Sequence, residues 1–136
     1  MIAIREPLNK LFIKPSKETN STYFHARAEE VKFRYAYKEL EGLDKFIREI
    51  YYENRSLQTR LRVPELIQPK RMFVYFAVLY LKLTQARIAK YLNLERSTLS
   101  YHLYRFQEEL GVYEDVYNMA KDVDNYLYSR YLEMPE

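Results

Sequence analysis

Few residues in this chain are equipped for chemistry, and their types limit what that chemistry could be. There is no cysteine among the 136 residues, which removes disulfides, thiolate metal sites and thiol nucleophiles together. The two histidines, His25 and His102, are far apart and form no His-x-x-x-His pair, so no metal site is expected. Ser97, Ser100 and His102 are near neighbours in sequence, yet a nucleophile also needs an oriented base and an oxyanion hole. Asp122 and Asp124 lie two apart and would not share a helix face, which makes a poor carboxylate pair. With two glycines in all, a glycine-rich phosphate loop cannot be built. The chain is expected to bind rather than to catalyse, with no cofactor and no evident small-molecule ligand.

The stretch from Arg87 to Arg105 holds the best-suited binding residues. Leu99, Leu103, Phe106 and Leu110 recur at steps of four, three and four, which is one buried helix face. Arg96, Ser97, Ser100, Tyr101, Tyr104 and Arg105 then point the other way, with Thr98 at the edge. These are donors and acceptors long enough to reach base edges and phosphates in a major groove. No acid interrupts that face between Arg96 and Arg105. Arg96, Ser97, Ser100 and Tyr101 are expected to read bases, and Thr98, Arg87, Lys90 and Arg105 to hold phosphates. Most of the fifteen tyrosines fall beside helical core positions, where an amphipathic ring packs well; Tyr101 and Tyr104 are assigned to the outward face. The net charge is +3, and it is uneven: residues 70–112 carry seven basic and three acidic side chains, residues 113–136 two and six.

Neighbouring elements must position that face. Thr84 can cap a short helix that buries Ile88, Ala89 and Leu92, and the small Ala89 permits close helix crossing. Asn93 tolerates the left-handed conformation of a sharp turn. A second helix starts near Glu95, whose carboxylate suits a helix N-terminus, and Gly111 is expected to end it. Short helix, tight turn and longer helix make a helix-turn-helix. Ahead of it, Val63-Pro64 and Gln68-Pro69 bracket a break amid Arg55, Arg60, Arg62, Lys70 and Arg71. A helix from Pro69 to Lys82, apolar on nearly all sides, is expected to be the central buried one. Behind it, a helix over residues 114–133 buries Val116, Ala120, Val123 and Leu127, with Glu114, Asp115, Asp122 and Asp124 on a solvated face.

Residues 1–25, with Pro7, Pro15 and a polar run, read as an arm with a loop and a short extended piece at Leu11-Phe12-Ile13. Residues 26–62 read as one long amphipathic helix in heptad register, in which Leu40, Leu43, Ile47, Ile50, Asn54 and Leu57 form a seam. Such a helix could pair two copies of the chain, with Asn54 fixing the register, or brace the following domain. Gly42 and the wider stripe made by Phe46 and Tyr51 favour the brace. The expected architecture is all-α, with residues 63–136 as the binding domain.

The thirty residues from Leu83 to Val112 resemble the helix-turn-helix of LuxR-type regulators and of sigma-factor region four. Leu83-Thr84, Ile88-Ala89, Leu92, Thr98-Leu99, His102-Leu103, Phe106 and Leu110-Gly111-Val112 all fall in register. A looser resemblance, from about Val63 to Leu132, is to the DNA-binding C-terminal domain of the replication initiator DnaA. Its signature is partly kept as Leu94-Glu95-Arg96-Ser97-Thr98-Leu99, with leucine at the leading arginine and Arg96 at the histidine. Both resemblances imply double-stranded DNA binding, in transcription regulation first and as a replication accessory factor next. The alternative is a structural or protein-interaction component, for example a viral one, using a helical bundle without DNA. The longest apolar run, Met72–Leu81, is too short to span a bilayer, and no signal-peptide pattern opens the chain. A cytoplasmic, nucleoid-associated protein is expected, and a phage or plasmid origin would fit.

Overall fold

The most apolar stretch of the chain lies at the centre of the fold. In a computed structural model, which describes residues 17–31 and 39–132 and side chains from Ser21 onward, six α-helices follow one another. They are α1 (Lys17–Glu29), α2 (Glu39–Ile50), α3 (Pro64–Phe76), α4 (Gln85–Leu92), α5 (Arg96–Val112) and α6 (Glu114–Leu132). The architecture is all-α, and no strand occurs among the described residues.

The central helix, α3, starts at Pro64, five residues before the expected Pro69. Val63 is extended (φ −102°, ψ 116°), the conformation favoured before a proline, and Pro64 takes the first helical position, where no N–H is needed. Pro69 lies inside the helix. The buried Leu66 anchors the first turn, so the helix persists although Pro69 has no N–H to donate. From Met72 to Leu81 every side chain but Val78 is buried. The last five of these residues, Ala77–Leu81, widen into a π-helical turn that stops at Lys82, which is left-handed (φ 55°). Around this axis α2 and α5 pack on α3, α4 packs on α5, and α1 packs on α5 and α6.

The long helix over residues 26–62 is not formed. The chain leaves α1 at Glu29, and α2 ends at Ile50. There Tyr52 turns left-handed (φ 54°) and the Glu53 N–H donates to the Arg48 carbonyl (2.8 Å). Residues 53–63 are a loop. The heptad spacing has another use: Leu40, Leu43, Ile47 and Leu57 are buried in the core of their own chain, where α2 meets α3 and α6. Ile50 packs against that core, while Asn54 stands exposed on the loop. A continuous seam through these six residues therefore does not exist. Gly42 lies on the exposed side of α2, and a Cβ there would meet nothing within 4 Å. Gly42→Ala is expected to raise the unfolding free energy by about 0.5–1 kcal/mol, read from the urea midpoint.

The arm expected over residues 1–25 also needs correction. Residues 17–25 belong to α1, where Phe24, Ala28 and the following Val31 bury at steps of four and three. Phe24 sits edge-on to Tyr75 and Phe76 of α3, which explains why a polar segment is held as helix. Leu11-Phe12-Ile13 lies outside the described residues. In α6, Val116, Ala120, Val123 and Leu127 are buried as expected. Asp124 is not on a solvated face: it is fully buried. It accepts from Tyr80 Oη of the π-helical turn (2.6 Å) and Arg27 Nε of α1 (2.9 Å). Asp122, two residues earlier, stays exposed.

Candidate nucleic-acid interface

The α4–turn–α5 pair forms as its residues demand. The Thr84 hydroxyl accepts from the Arg87 N–H (3.3 Å), satisfying one of the free amides that open α4. Thr84→Ala is expected to cost about 1 kcal/mol and to lower Tm by about 4 °C in a thermal melt followed by circular dichroism. Asn93 is left-handed (φ 60°, ψ 40°), and the Leu94 N–H behind it donates to the Ala89 carbonyl (2.9 Å). Ile88, Ala89 and Leu92 of α4 and Leu99, Phe106 and Leu110 of α5 are buried between the helices and the core. Gly111 does not end α5. The helix runs through Val112 to an extended Tyr113 (φ −108°), and neither glycine has the positive φ that a glycine stop uses.

The nine candidate residues are carried by α4 and α5. Arg87 and Lys90 are exposed on α4; Arg96, Ser97, Thr98 and Ser100 are exposed on α5. Tyr101 and Tyr104 are 53% and 54% exposed. Arg105 is partly exposed and ends the free part of the face. Glu108 lies 3.4 Å from its guanidinium and accepts from Tyr104 Oη (3.0 Å). The carboxylate three residues beyond the acid-free span thus reaches back onto it. Ser100 Oγ donates to Gln85 Oε1 of α4 (2.8 Å), which ties the two helices on their outer side.

Sequence reasoning left the 58–63 loop out of this surface. Gln58 Nε2 donates to the Tyr91 carbonyl (2.9 Å), and Asn93 Nδ2 donates to the Gln58 carbonyl (3.4 Å). Lys70 Nζ donates to the Thr59 carbonyl (2.7 Å) from below, and burial pulls its ammonium pKa down. So held, the loop faces the first two turns of α5 across a groove of about 590 Å³. Arg60 and Arg62 stand on the loop side and Ser97, Thr98, Tyr101 and His102 on the α5 side. The basic cluster around Pro64 and Pro69 was visible in the sequence, but nothing local says that it folds beside α5.

A short polar chain locks α5 to α3 beneath the groove. Arg71 Nη1 meets Glu109 Oε2 at 2.6 Å, Arg71 Nε donates to His102 Nδ1 (3.2 Å), and Gln68 Nε2 donates to Glu109 Oε1 (3.0 Å). His102 and Glu109 are seven residues apart, two helical turns, so Arg71 grips α5 at two heights and sets its roll. Burial, and then the charges of Arg71, Lys70 and Arg62, push the His102 pKa down to about 4. Its unfolded value is about 6.5, so between these pH values the unfolded chain binds the proton more readily and stability falls as pH drops. Compared with His102→Gln, which cannot titrate, the parent protein is expected to lose urea resistance progressively from pH 6.5 to 4. Above pH 6.5 the difference should be constant.

The arginines divide by pairing. Arg27, Arg48, Arg55, Arg71, Arg105 and Arg130 each meet a carboxylate within 3.4 Å. Among the described residues Arg60, Arg62 and Arg96 have no carboxylate partner, and all three flank the start of α5. No group of three His, Asp or Glu residues that could hold a metal occurs among the described residues. None of their helices is long and apolar enough to cross a membrane. The site thus belongs to an all-helical chain presenting a basic, donor-rich helix face beside a basic groove. No protein-family model, curated protein or solved structure matches the chain.

Proposed function

We propose that the protein binds double-stranded DNA, with α4, the Asn93 turn and α5 working as a helix-turn-helix that lays the Arg96–Tyr104 face in the major groove. The observation that carries this reading is the cluster of arginines without carboxylates around the start of α5. Elsewhere the described arginines are mostly neutralised within the fold. A set left charged beside an exposed, hydroxyl-rich helix face is suited to phosphates and base edges. Arg96, Ser97, Ser100 and Tyr101 read bases in this picture; Arg87, Lys90 and Thr98 hold phosphates, and Arg105 does so in exchange for Glu108. Arg60 and Arg62 join them. The function is binding alone, with no reaction performed on the DNA.

Regulation of transcription is the role this activity serves most directly, with an accessory role in replication next, in the cytoplasm and on the nucleoid. Two half-exposed tyrosines on the same face, Tyr101 and Tyr104, favour one rival, a protein-interaction component, because tyrosine is a common interface anchor. Anisotropy of a labelled mixed-sequence duplex between 50 and 200 mM salt separates the two, since contacts to several phosphates weaken by orders of magnitude over about that range. No duplex affinity, or affinity that ignores salt, would decide for the rival; salt-dependent affinity that Arg96→Ala leaves unchanged would remove α5 from the DNA. A palindromic site with half-sites one helical turn apart, selected from a random duplex pool, would establish a dimer on DNA.

A further inference from the structure

The groove between the 58–63 loop and α5 contains hydrogen-bonding capacity that the protein itself leaves unused. Arg71 Nε donates to His102 Nδ1 (3.2 Å). A guanidinium offers no acceptor and does not lose its proton in proteins, so Nδ1 must be bare and the ring proton must sit on Nε2. His102 lines the groove, and its Nε2–H makes no hydrogen bond to a described residue. Arg60 and Arg62, on the opposite wall, have no carboxylate partner. Ser97 and Thr98 add hydroxyls from α5. Lys70 and Arg71 lie at the groove as well, each committed to a partner inside the protein. Against these four cations the lining carries one carboxylate, Glu95.

The ligand chemistry follows from that inventory. Charged forks and a neutral N–H on facing walls offer donors from several directions, with positive potential opposed by a single carboxylate, Glu95. A cation is repelled by such a site, and a neutral ligand gains nothing from the charge. A tetrahedral oxyanion with acceptor oxygens on every side is matched.

We infer that this groove is a phosphate-binding site, with the oxyanion held between Arg60 and Arg62 on the loop and His102 Nε2–H, Ser97 and Thr98 on α5. The inference rests on the DNA reading for one source of the phosphate, a backbone phosphate of the strand lying between α5 and the loop. The phosphomonoester of a free mononucleotide offers the same chemistry.

The test is an NMR titration of the full ¹⁵N-labelled chain with inorganic phosphate, with adenosine 5′-monophosphate and with a mixed-sequence duplex, at ionic strength held constant with chloride. Saturable shifts are expected at the Ser97 and Thr98 amides and the His102 ring. Affinity should fall at least tenfold in Arg62→Ala and in His102→Leu. It should survive in His102→Gln, whose amide can still accept from Arg71 and donate to the groove. Should His102→Leu fail to fold, Arg62→Ala alters only an exposed loop residue and carries the test. Displacement of the mononucleotide by duplex, with a duplex salt slope about 0.9 shallower in Arg62→Ala, identifies the backbone phosphate as the source. Saturation by mononucleotide that duplex does not disturb identifies the free phosphoester. Shifts that never saturate, or that Arg62→Ala leaves unchanged, overturn the site. If duplex binding then still depends on Arg96, the DNA reading stands without it. Saturable phosphate binding with no duplex binding removes the DNA reading alone.

Discussion

Asp124→Ala is expected to destabilise the protein by about 3–5 kcal/mol, the usual cost of removing one partner from a buried ion pair. The carboxylate is fully buried and takes two short hydrogen bonds, from Tyr80 Oη at 2.6 Å and Arg27 Nε at 2.9 Å. Removing it leaves a buried hydroxyl without its acceptor and a guanidinium lying 3.7 Å over the Tyr128 ring without its counter-charge. Domains of this size are stable by about 5–15 kcal/mol, so the loss is a large fraction of the total. The Arg27 guanidinium keeps its bond to Asn125 Oδ1 (2.7 Å), which places the expectation at the lower end. Asp124→Asn preserves volume and one acceptor and should cost less. Combining Asp124→Ala with Arg27→Met should recover part of the loss, because the stranded charge leaves together with its partner. Urea unfolding of the parent, the single variants Asp124→Ala and Arg27→Met, and the double variant measures the cycle. A change under about 1 kcal/mol in Asp124→Ala would mean that the pair is open to water.

Arg96→Ala is expected to weaken binding to the preferred duplex by about 5- to 150-fold, the range of a lost bidentate base contact. Its side chain is exposed at the first position of α5 and supports nothing inside the protein, so the melting curve should not move. Base reading and phosphate holding leave different signatures. Arg96→Ala should relax sequence preference at one position of the site. Lys90→Ala should weaken all duplexes alike and reduce the salt slope by about one. Selection from a random duplex pool, repeated with each variant, records both. An unaltered preference in Arg96→Ala would move that residue to the phosphate set, and unaltered affinity would remove α5 from the DNA.

What was legible beforehand, and what was not, follows one physical line. The cap at Thr84, the left-handed Asn93, the buried stripes of α4 and α5 and the length of α6 depend on interactions within a few residues. Local sequence reports such features faithfully. Gly111 is the local exception, since a glycine permits a left-handed stop without requiring one. The long-helix expectation failed because steps of three and four tell only that a face is buried. They do not tell against what, and here residues of α2 and the loop after it turn that face to their own chain.

Asp124 shows the same limit. Its place among acidic neighbours suggests solvent, and only the arrival of Tyr80 and Arg27 from other helices makes burial tolerable. By itself, the order of residues determined an all-helical chain with a basic, acid-free outer face on the helix after Asn93, because helical periodicity and charge are properties of neighbours. Tertiary structure alone decided that the 58–63 loop lies across a groove from that face, and that Arg71 fixes the tautomer of His102. Those depend on contacts between residues 31 to 41 positions apart, whose energies no local pattern records.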